Sequence, residues 1–242
     1  MNKTRVSLKS ITLPVSRVVR RYTRPRSVGR IDWGDLRRVK PISKKWGFDR
    51  GLPIDRYYIE QFLAKHANDV RGHALEIGDN TYTYRYGAGR ITNSDILHVV
   101  EGTHKATIIA DLTHAPQIQD GMFDCIICTQ TLQLIYELPA AVQTLHRVLK
   151  PRGVLLATVP GVSRIAHGDG VDADYWRFTT ASATRLFENS APGSFLEIDA
   201  YGNVFTASAF LYGLAAEELT SDELNSFDSD FQTIIGVRMV KR

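Results

Sequence analysis

Hydrophobic and polar positions alternate in blocks along this chain, and the blocks differ in period. Ile54, Tyr58, Ile59, Phe62 and Leu63 recur at spacings of three and four, which predicts an amphipathic helix running to about Asn68. Pro53 suits its first turn, where a missing N–H costs little. Short apolar runs at His73–Ile77, Ile96–Val100, Ala106–Ala110, Phe123–Cys128 and Val154–Val159 predict five buried strands. Between the first two, Thr81, Thr83, Gly87, Gly89 and Thr92 are poor or mediocre helix formers, so an irregular loop or one short turn of helix is expected there.

The clearest helix lies between the fourth and fifth runs. Leu138, Ala141, Val142, Leu145, Val148 and Leu149 form one stripe, Lys150 suits the negative end of the helix dipole, and Pro151 and Gly153 stop it. A loop over 162–178 carries the polar-aromatic cluster Asp174-Tyr-Trp-Arg-Phe178, and Thr179 or Thr180 can cap a helix to about Asn189. A strand over Phe195–Tyr201, a helix over Ala207–Leu219 and a final strand over Phe231–Val240 complete the chain. Strands alternating with helices predict an α/β fold: a Rossmann-like, mostly parallel seven-stranded sheet with helices on both faces and the last strand antiparallel.

In such sheets ligands sit outside the carboxyl ends of the strands. Four strand endings with polar chemistry fall on that edge: Glu76-Ile-Gly78, Glu101, Asp111 and Thr129-Gln130. An acid at the end of the first strand, followed by a glycine whose backbone can approach a ligand closely, suits a nucleotide-like cofactor. An ordinary strand and turn fits those residues equally well when they are taken alone.

Composition sharpens this picture in two ways. The net charge of +4 is unevenly placed: residues 1–50 hold fifteen Lys/Arg against three Asp/Glu, so the remainder is net acidic. Residues 1–45 read as a basic arm and 46–242 as the folded domain. The arm suits an anionic partner, a membrane surface or nucleic acid, and equally a solvated terminus; its Arg- and Ser-rich, acid-poor make-up also fits a transit peptide. It has no RNA-binding aromatic motif and no zinc-finger spacing, so no specific nucleic acid is predicted. Cys125 and Cys128 form no disulfide framework, and no apolar run approaches the ~20 residues of a membrane span, which makes the cytoplasm the expected location. Three apart in a strand, the two cysteines face opposite sides of the sheet, so neither a redox nor a zinc site is expected; the scattered histidines predict no metal centre.

Leu75-Glu-Ile-Gly78, Phe123-Asp-Cys-Ile-Ile-Cys128 and Leu149-Lys-Pro-Arg-Gly-Val154 stand in the order of the motifs of class I S-adenosylmethionine-dependent methyltransferases, and the chain over roughly 46–242 resembles that family. Asp174-Tyr-Trp-Arg-Phe-Thr179 also resembles a segment of methyltransferase-domain proteins associated with glycan biosynthesis. The resemblance implies S-adenosyl-L-methionine as cofactor. It sets Glu76, Gly78, Asp79 and Asn80 beside the methionine moiety and Glu101 at the ribose. Asp111 and the Leu112 N–H would meet the adenine, with Thr129 and Gln130 beneath the cofactor near the transferred methyl. It implies methyl transfer to a small-molecule or glycan acceptor, expected at oxygen. From its place in the loop after the fifth strand, His167 is the candidate base, with an ordinary exposed loop histidine as the alternative; Tyr175, Trp176 and Arg177 are candidates to grip the acceptor, and Trp176 and Phe178 equally suit anchoring of the loop to the core. Asp172 and Asp174 lie in the same loop. Asn80 and Tyr82 replace two glycines of the family pattern. Asn tolerates positive φ, so Asn80 can still make the turn, whereas Tyr82 would narrow the site or redirect the loop. The alternative is therefore a catalytically degenerate binding or scaffold protein of the same fold. A nicotinamide oxidoreductase is disfavoured because no G-x-G-x-x-G follows the first strand.

Overall fold

The computed structural model describes residues 32–102, 105–167 and 173–242. Most of the basic arm, and Asp172, lie outside the described residues. The structure divides into residues 1–39 and 40–242. In the first unit Gly34–Leu36 forms one 3₁₀ turn, entered by a hydrogen bond from Gly34 N to Asp32 Oδ1.

The second unit holds seven strands: β1 (Gly72–Ile77), β2 (Ile91–His98), β3 (Ile108–Ile109), β4 (Phe123–Thr129), β5 (Leu149–Pro160), β6 (Phe195–Tyr201) and β7 (Ile234–Val240). Their order across the sheet is β3-β2-β1-β4-β5-β7-β6. The first five run parallel, and β7 pairs antiparallel with both β5 and β6. The order reverses between β1 and β4, the switch point where open α/β sheets bind their ligands. Among the described residues six α-helices accompany the sheet: α1 (Ile54–Lys65), α2 (Thr81–Gly87), α3 (Leu138–Val148), α4 (Thr180–Ser190), α5 (Val204–Tyr212) and α6 (Ser221–Asn225). None of the described helices is long and apolar enough to cross a membrane.

The period-2 geometry of the strands splits the core into two layers. Leu75, Ile126, Cys128, Leu155 and Ala157 face α3 and α4, where Leu145 and Phe187 are fully or almost fully buried. Their alternates Ala74, Cys125, Ile127, Val154 and Leu156 face α1 and α5, against Phe62 and Phe210. The two cysteines thus fall in different layers, both as free thiols. Burial among apolar side chains raises both thiol pKa values, that of Cys128 to about 12.

Strand β5 begins at Leu149 and so takes in Lys150, Pro151 and Gly153, which were expected to close the preceding helix, and β7 begins at Ile234 in place of Phe231. Four further differences from the sequence expectation each have a physical reason. Helix α2 makes two turns where a loop or a single turn was expected, because Glu76 supplies its N-terminal hydrogen bonds, as described below. Strand β2 starts at Ile91 and ends at His98, ahead of the expected 96–100. Its polar first half, Thr92-Asn-Ser-Asp95, hides a ladder in which Gly72 pairs with Ile91 and Ile77 with Leu97. Asp95 is anchored there by His73 Nε2 at 2.6 Å. The third strand shrinks to two residues at the sheet edge, a common way to blunt an exposed edge. The expected helix over 207–219 breaks at Gly213, which adopts φ +75°: α5 ends at Tyr212, a 3₁₀ turn follows at Ala216–Glu218, and α6 starts only at Ser221. The Asn203 side chain caps α5 by accepting from Phe205 N and Thr206 N, and Thr220 caps α6.

Helix α1 seats on the sheet at Gly236 of β7. A Cβ there would lie 2.4 Å from Cδ2 of the buried Phe62. Gly236→Ala is expected to destabilise the domain by about 1–3 kcal/mol through overpacking, read as a lower urea midpoint with unchanged slope; no shift would show that α1 packs elsewhere.

Candidate active site

Glu76 is the penultimate residue of β1, almost wholly buried at 3% exposure. Its Oε1 accepts from Tyr82 N at 3.2 Å. Its Oε2 accepts from Thr83 N and Thr83 Oγ1, both at 2.7 Å. The carboxylate therefore satisfies two of the unpaired N–H groups that open α2 and sits at the positive end of its dipole. Burial pushes the Glu76 pKa up to about 7 against the downward pull of these three bonds.

That tie shapes the loop between strand and helix. Gly78 adopts φ +95°, and a Cβ built on it would meet nothing within 4 Å, so the peptide faces open space at the switch point. Gly78 N donates to Leu97 O at 3.0 Å, which fixes the turn to the end of β2. Asp79 is exposed and accepts from Thr81 N at 2.8 Å. Asn80 has φ −127°, so the turn needs no left-handed residue at that position. Its amide reaches Ser94 Oγ at 3.4 Å. Tyr82 turns towards α1, packing in the α1-side layer with its ring 6.0 Å from that of Tyr86.

The remaining predicted cofactor residues lie along the same rim. Asp111 follows β3 and is exposed. Its Oδ1 accepts from Thr113 N and Thr113 Oγ1, both at 2.8 Å, in a local turn that holds the carboxylate at the strand end. Leu112 is buried behind it. Glu101 is exposed in the turn three residues beyond β2, while Val99 and Val100 occupy the positions directly after the strand. Thr129 ends β4, and Gln130 follows with φ +48°, its N–H bonded to Thr158 O at 2.9 Å.

Beyond Gln130 the rim opens into a cavity of about 220 Å³, walled by α1, the segment after β4 and the loop after β5. Asp55 in the first turn of α1 lines it, as do Arg56, Gln130, Gln133, Arg164 and the Asp174–Arg177 pair. Gln133 Nε2 donates to Gln130 Oε1 at 3.3 Å. Gln133 Oε1, Gln130 Nε2 and Arg164 Nε are buried without a partner. Whichever way the two linked amides are turned, they leave one donor and one acceptor unmet. The Arg164 guanidinium stacks on Trp46 at 3.6 Å from the ring centroid. Asp55 is buried, at 9% exposure, and among the described residues its carboxylate is bonded only by neighbouring backbone, Arg56 N at 2.7 Å and its own N–H. Desolvation raises its pKa, with Arg56 pulling the other way.

The described residues after β5, 161–167 and 173–178, divide by what they touch. Arg177 meets Asp174 bidentately at 2.5 and 2.9 Å and donates to the carbonyls of Arg164 and Trp176 at 2.8 Å, so its guanidinium holds the loop in shape. That pairing keeps Asp174 below the usual carboxylate range. Trp176 Nε1 donates to Ile135 O at 3.0 Å, and the ring packs against the core. Tyr175 is exposed, edge-on to Tyr136 at 5.4 Å. His167 is exposed one residue beyond the cavity-lining Ala166, close enough to Asp174 to act on its charge.

Asp55, Arg56 and Arg164 are the site residues that sequence reasoning missed. The first two read as ordinary polar positions at a helix start, and only the packing of α1 brings them to the rim. At the opposite end of α1, His66, Glu197 and Asp199 place ligand atoms within 4.8 Å of one another. The Lys65 ammonium already sits between the two acids, at 2.9 and 2.7 Å.

Comparison with known proteins gives this geometry a context. The family model described as "Methyltransferase domain" matches residues 81–157. No curated protein sequence matches the chain. Among solved structures, the [4+2]-cyclase SpnF superposes with a TM-score of 0.51 at 16% identity, over 76% of this chain and 80% of that one. An S-adenosylmethionine-dependent methyltransferase from Mesorhizobium loti gives 0.50 at 14%, over 78% and 98%. Phosphoethanolamine N-methyltransferase 2 of Haemonchus contortus, solved with S-adenosyl-L-methionine, gives 0.51 at 15%, over 75% and 52%. At these identities the structures establish the fold, and the family match places a methyltransferase domain over residues 81–157 of it.

The Glu76 tie has a pH signature. A carboxyl whose pKa rises from 4.5 to about 7 on folding contributes stability below pH 4.5 that is lost as pH climbs through 7. The difference in Tm between Glu76→Gln and the parent protein is therefore expected to move in the variant's favour across that window. A pH-independent difference would contradict the buried, raised carboxyl.

Proposed function

We propose that this protein transfers the methyl group of S-adenosylmethionine to a hydroxyl oxygen of a small-molecule or glycan acceptor held in the cavity beside Gln130. The observation that carries the reading is the meeting, at one rim, of an open glycine peptide and a cavity whose buried amides lack partners. When bound, the cofactor supplies an electrophilic methyl carbon on a positively charged sulfur. The chain's own task is then to hold oxygen, carbon and sulfur in line and to keep water out.

In this reading the Gly78–Asn80 backbone borders the methionine moiety, and Glu76 acts through the loop it ties. Glu101 serves the ribose, Asp111 and the Leu112 N–H the adenine, and Thr129 and Gln130 the region of the methyl. Arg56 joins this set. It lines the cavity, acts electrostatically on the Tyr82 phenol, and has no ion-pair partner among the described residues. It is the cation available for the methionine carboxylate. Tyr175 and Trp176 border the acceptor, with Arg177 shaping their loop. Unmet donors and acceptors side by side suit hydroxyl groups, each of which can both give and take a hydrogen bond. The basic arm would meet an anionic partner or membrane surface, and two reduced thiols suit the cytoplasm.

Titration calorimetry tests the cofactor half of this reading. The full chain is expected to bind S-adenosylmethionine in the micromolar range. Asp111→Ala and Arg56→Ala should each weaken binding by about 10- to 100-fold, the loss of one charge-assisted hydrogen bond of about 1.5–3 kcal/mol. Absence of binding at millimolar cofactor would refute the assignment and favour a scaffold role.

A further inference from the structure

Proton removal from a hydroxyl acceptor needs a base at the cavity wall, and this inference rests on the reading just given. We infer that Asp55 is that base: a buried carboxylate on the first turn of α1, facing the cavity across from the unpartnered amides of Gln130 and Gln133.

Three observations converge on it. Position comes first: Asp55 and Gln130 line the same cavity, so a hydroxyl between them lies beside the segment assigned to the methyl. Second is the missing partner. Asp174 is committed to Arg177 and Ala166 N, and Glu76 to Tyr82 and Thr83. Among the described residues no side chain bonds to Asp55; it accepts from Arg56 N and its own N–H only, which leaves acceptor capacity on a carboxylate that has been taken out of water. Cost is the third. A buried, sparsely bonded carboxylate destabilises a fold, and groups of this kind gather at functional sites. His167, by contrast, is exposed and is not among the residues lining the cavity.

The step balances without a further reactant. Asp55 takes the hydroxyl proton while the oxygen lone pair forms the bond to the methyl carbon. The carbon–sulfur bond breaks, and its electron pair stays on sulfur. The products are a methyl ether, a neutral thioether and a protonated Asp55, which returns its proton to water. The charged and titratable groups facing Asp55 are Arg56 on its own helix, Arg164 and the Asp174–Arg177 pair from the loop after β5, and Tyr82 from α2. The segment after β4 presents only the uncharged Gln130 and Gln133. Desolvation outweighs Arg56, which brings the carboxylate's basicity closer to that useful near neutral pH.

The test uses the full chain, methyl-tritiated S-adenosylmethionine and a panel of methyl hexosides and deoxyhexosides. Label is expected in at least one glycoside, at a rate that rises with pH and then levels. Asp55→Asn should cut that rate about 100-fold or more while cofactor affinity by calorimetry stays within threefold. The same variant should melt higher than the parent at pH 8, because a buried charge has gone, and the gap should close as pH falls through the raised pKa of Asp55. A carboxylate with a purely structural role would instead leave Asp55→Asn less stable at every pH, which would overturn the inference. So would a labelling rate within threefold of the parent, or loss of label in His167→Ala with Asp55→Asn unaffected. A chain that binds cofactor and labels no glycoside refutes the hydroxyl acceptor of the parent reading. Labelling that persists in Asp55→Asn refutes only the role of Asp55.

Discussion

The rim of this protein depends on one buried carboxylate. Glu76 sits near the end of β1 and bonds to the first turn of α2 through Tyr82 N, Thr83 N and Thr83 Oγ1. A family pattern with three glycines can turn from strand to helix on backbone freedom alone. Here only Gly78 adopts positive φ in that turn, Asn80 is an ordinary residue, and Tyr82 serves as a packing residue against α1. The side-chain tie gives the loop what the missing glycines would otherwise provide, a defined path that leaves the Gly78 peptide facing open space.

Helix α1 carries a second consequence of the same packing. Its apolar face is held against the sheet by Phe62 over Gly236, and this fixes the direction of its first turn. Asp55 and Arg56 thereby reach the carboxyl edge of the sheet, opposite the segment after β4. The loop after β5 closes the remaining wall. It is braced by the Asp174–Arg177 pair, by Tyr175 N and Trp176 N on Gln133 O, and by Trp176 Nε1 on Ile135 O. Arg177 and Trp176 thus shape the cavity through the loop they hold, and the surfaces left for an acceptor are amides, a carboxylate and exposed aromatic edges.

Sequence pattern carried the architecture because the parallel strands are buried on both faces and read as apolar runs, and because α3 shows one apolar stripe from Leu138 to Val148; Lys150, Pro151 and Gly153, read as the end of that helix, instead open β5. It misread the stretch from Thr81 to Asn93. Helix propensity is a local quantity, while α2 is set by a carboxylate five residues before its first residue and by tyrosines packed on another helix. The polar half of β2 was hidden for a related reason: its register comes from pairing with β1 and from His73 on Asp95. On the rim, Glu76, Gly78, Asp111 and Gln130 were legible as strand endings. Asp55, Arg56 and Arg164 were not, since their place at the cavity follows from how α1 and the loop after β5 pack, which no spacing in the sequence records.

Amide hydrogen exchange resolved by residue bears most directly on the claim that a preformed loop awaits its cofactor. The amides of Tyr82 and Thr83 should be strongly protected in the free protein, while those of Gly78 to Asn80 slow upon addition of S-adenosylhomocysteine. Free exchange at Tyr82 and Thr83 until ligand is added, or no change from Gly78 to Asn80 at saturating ligand, would contradict the account.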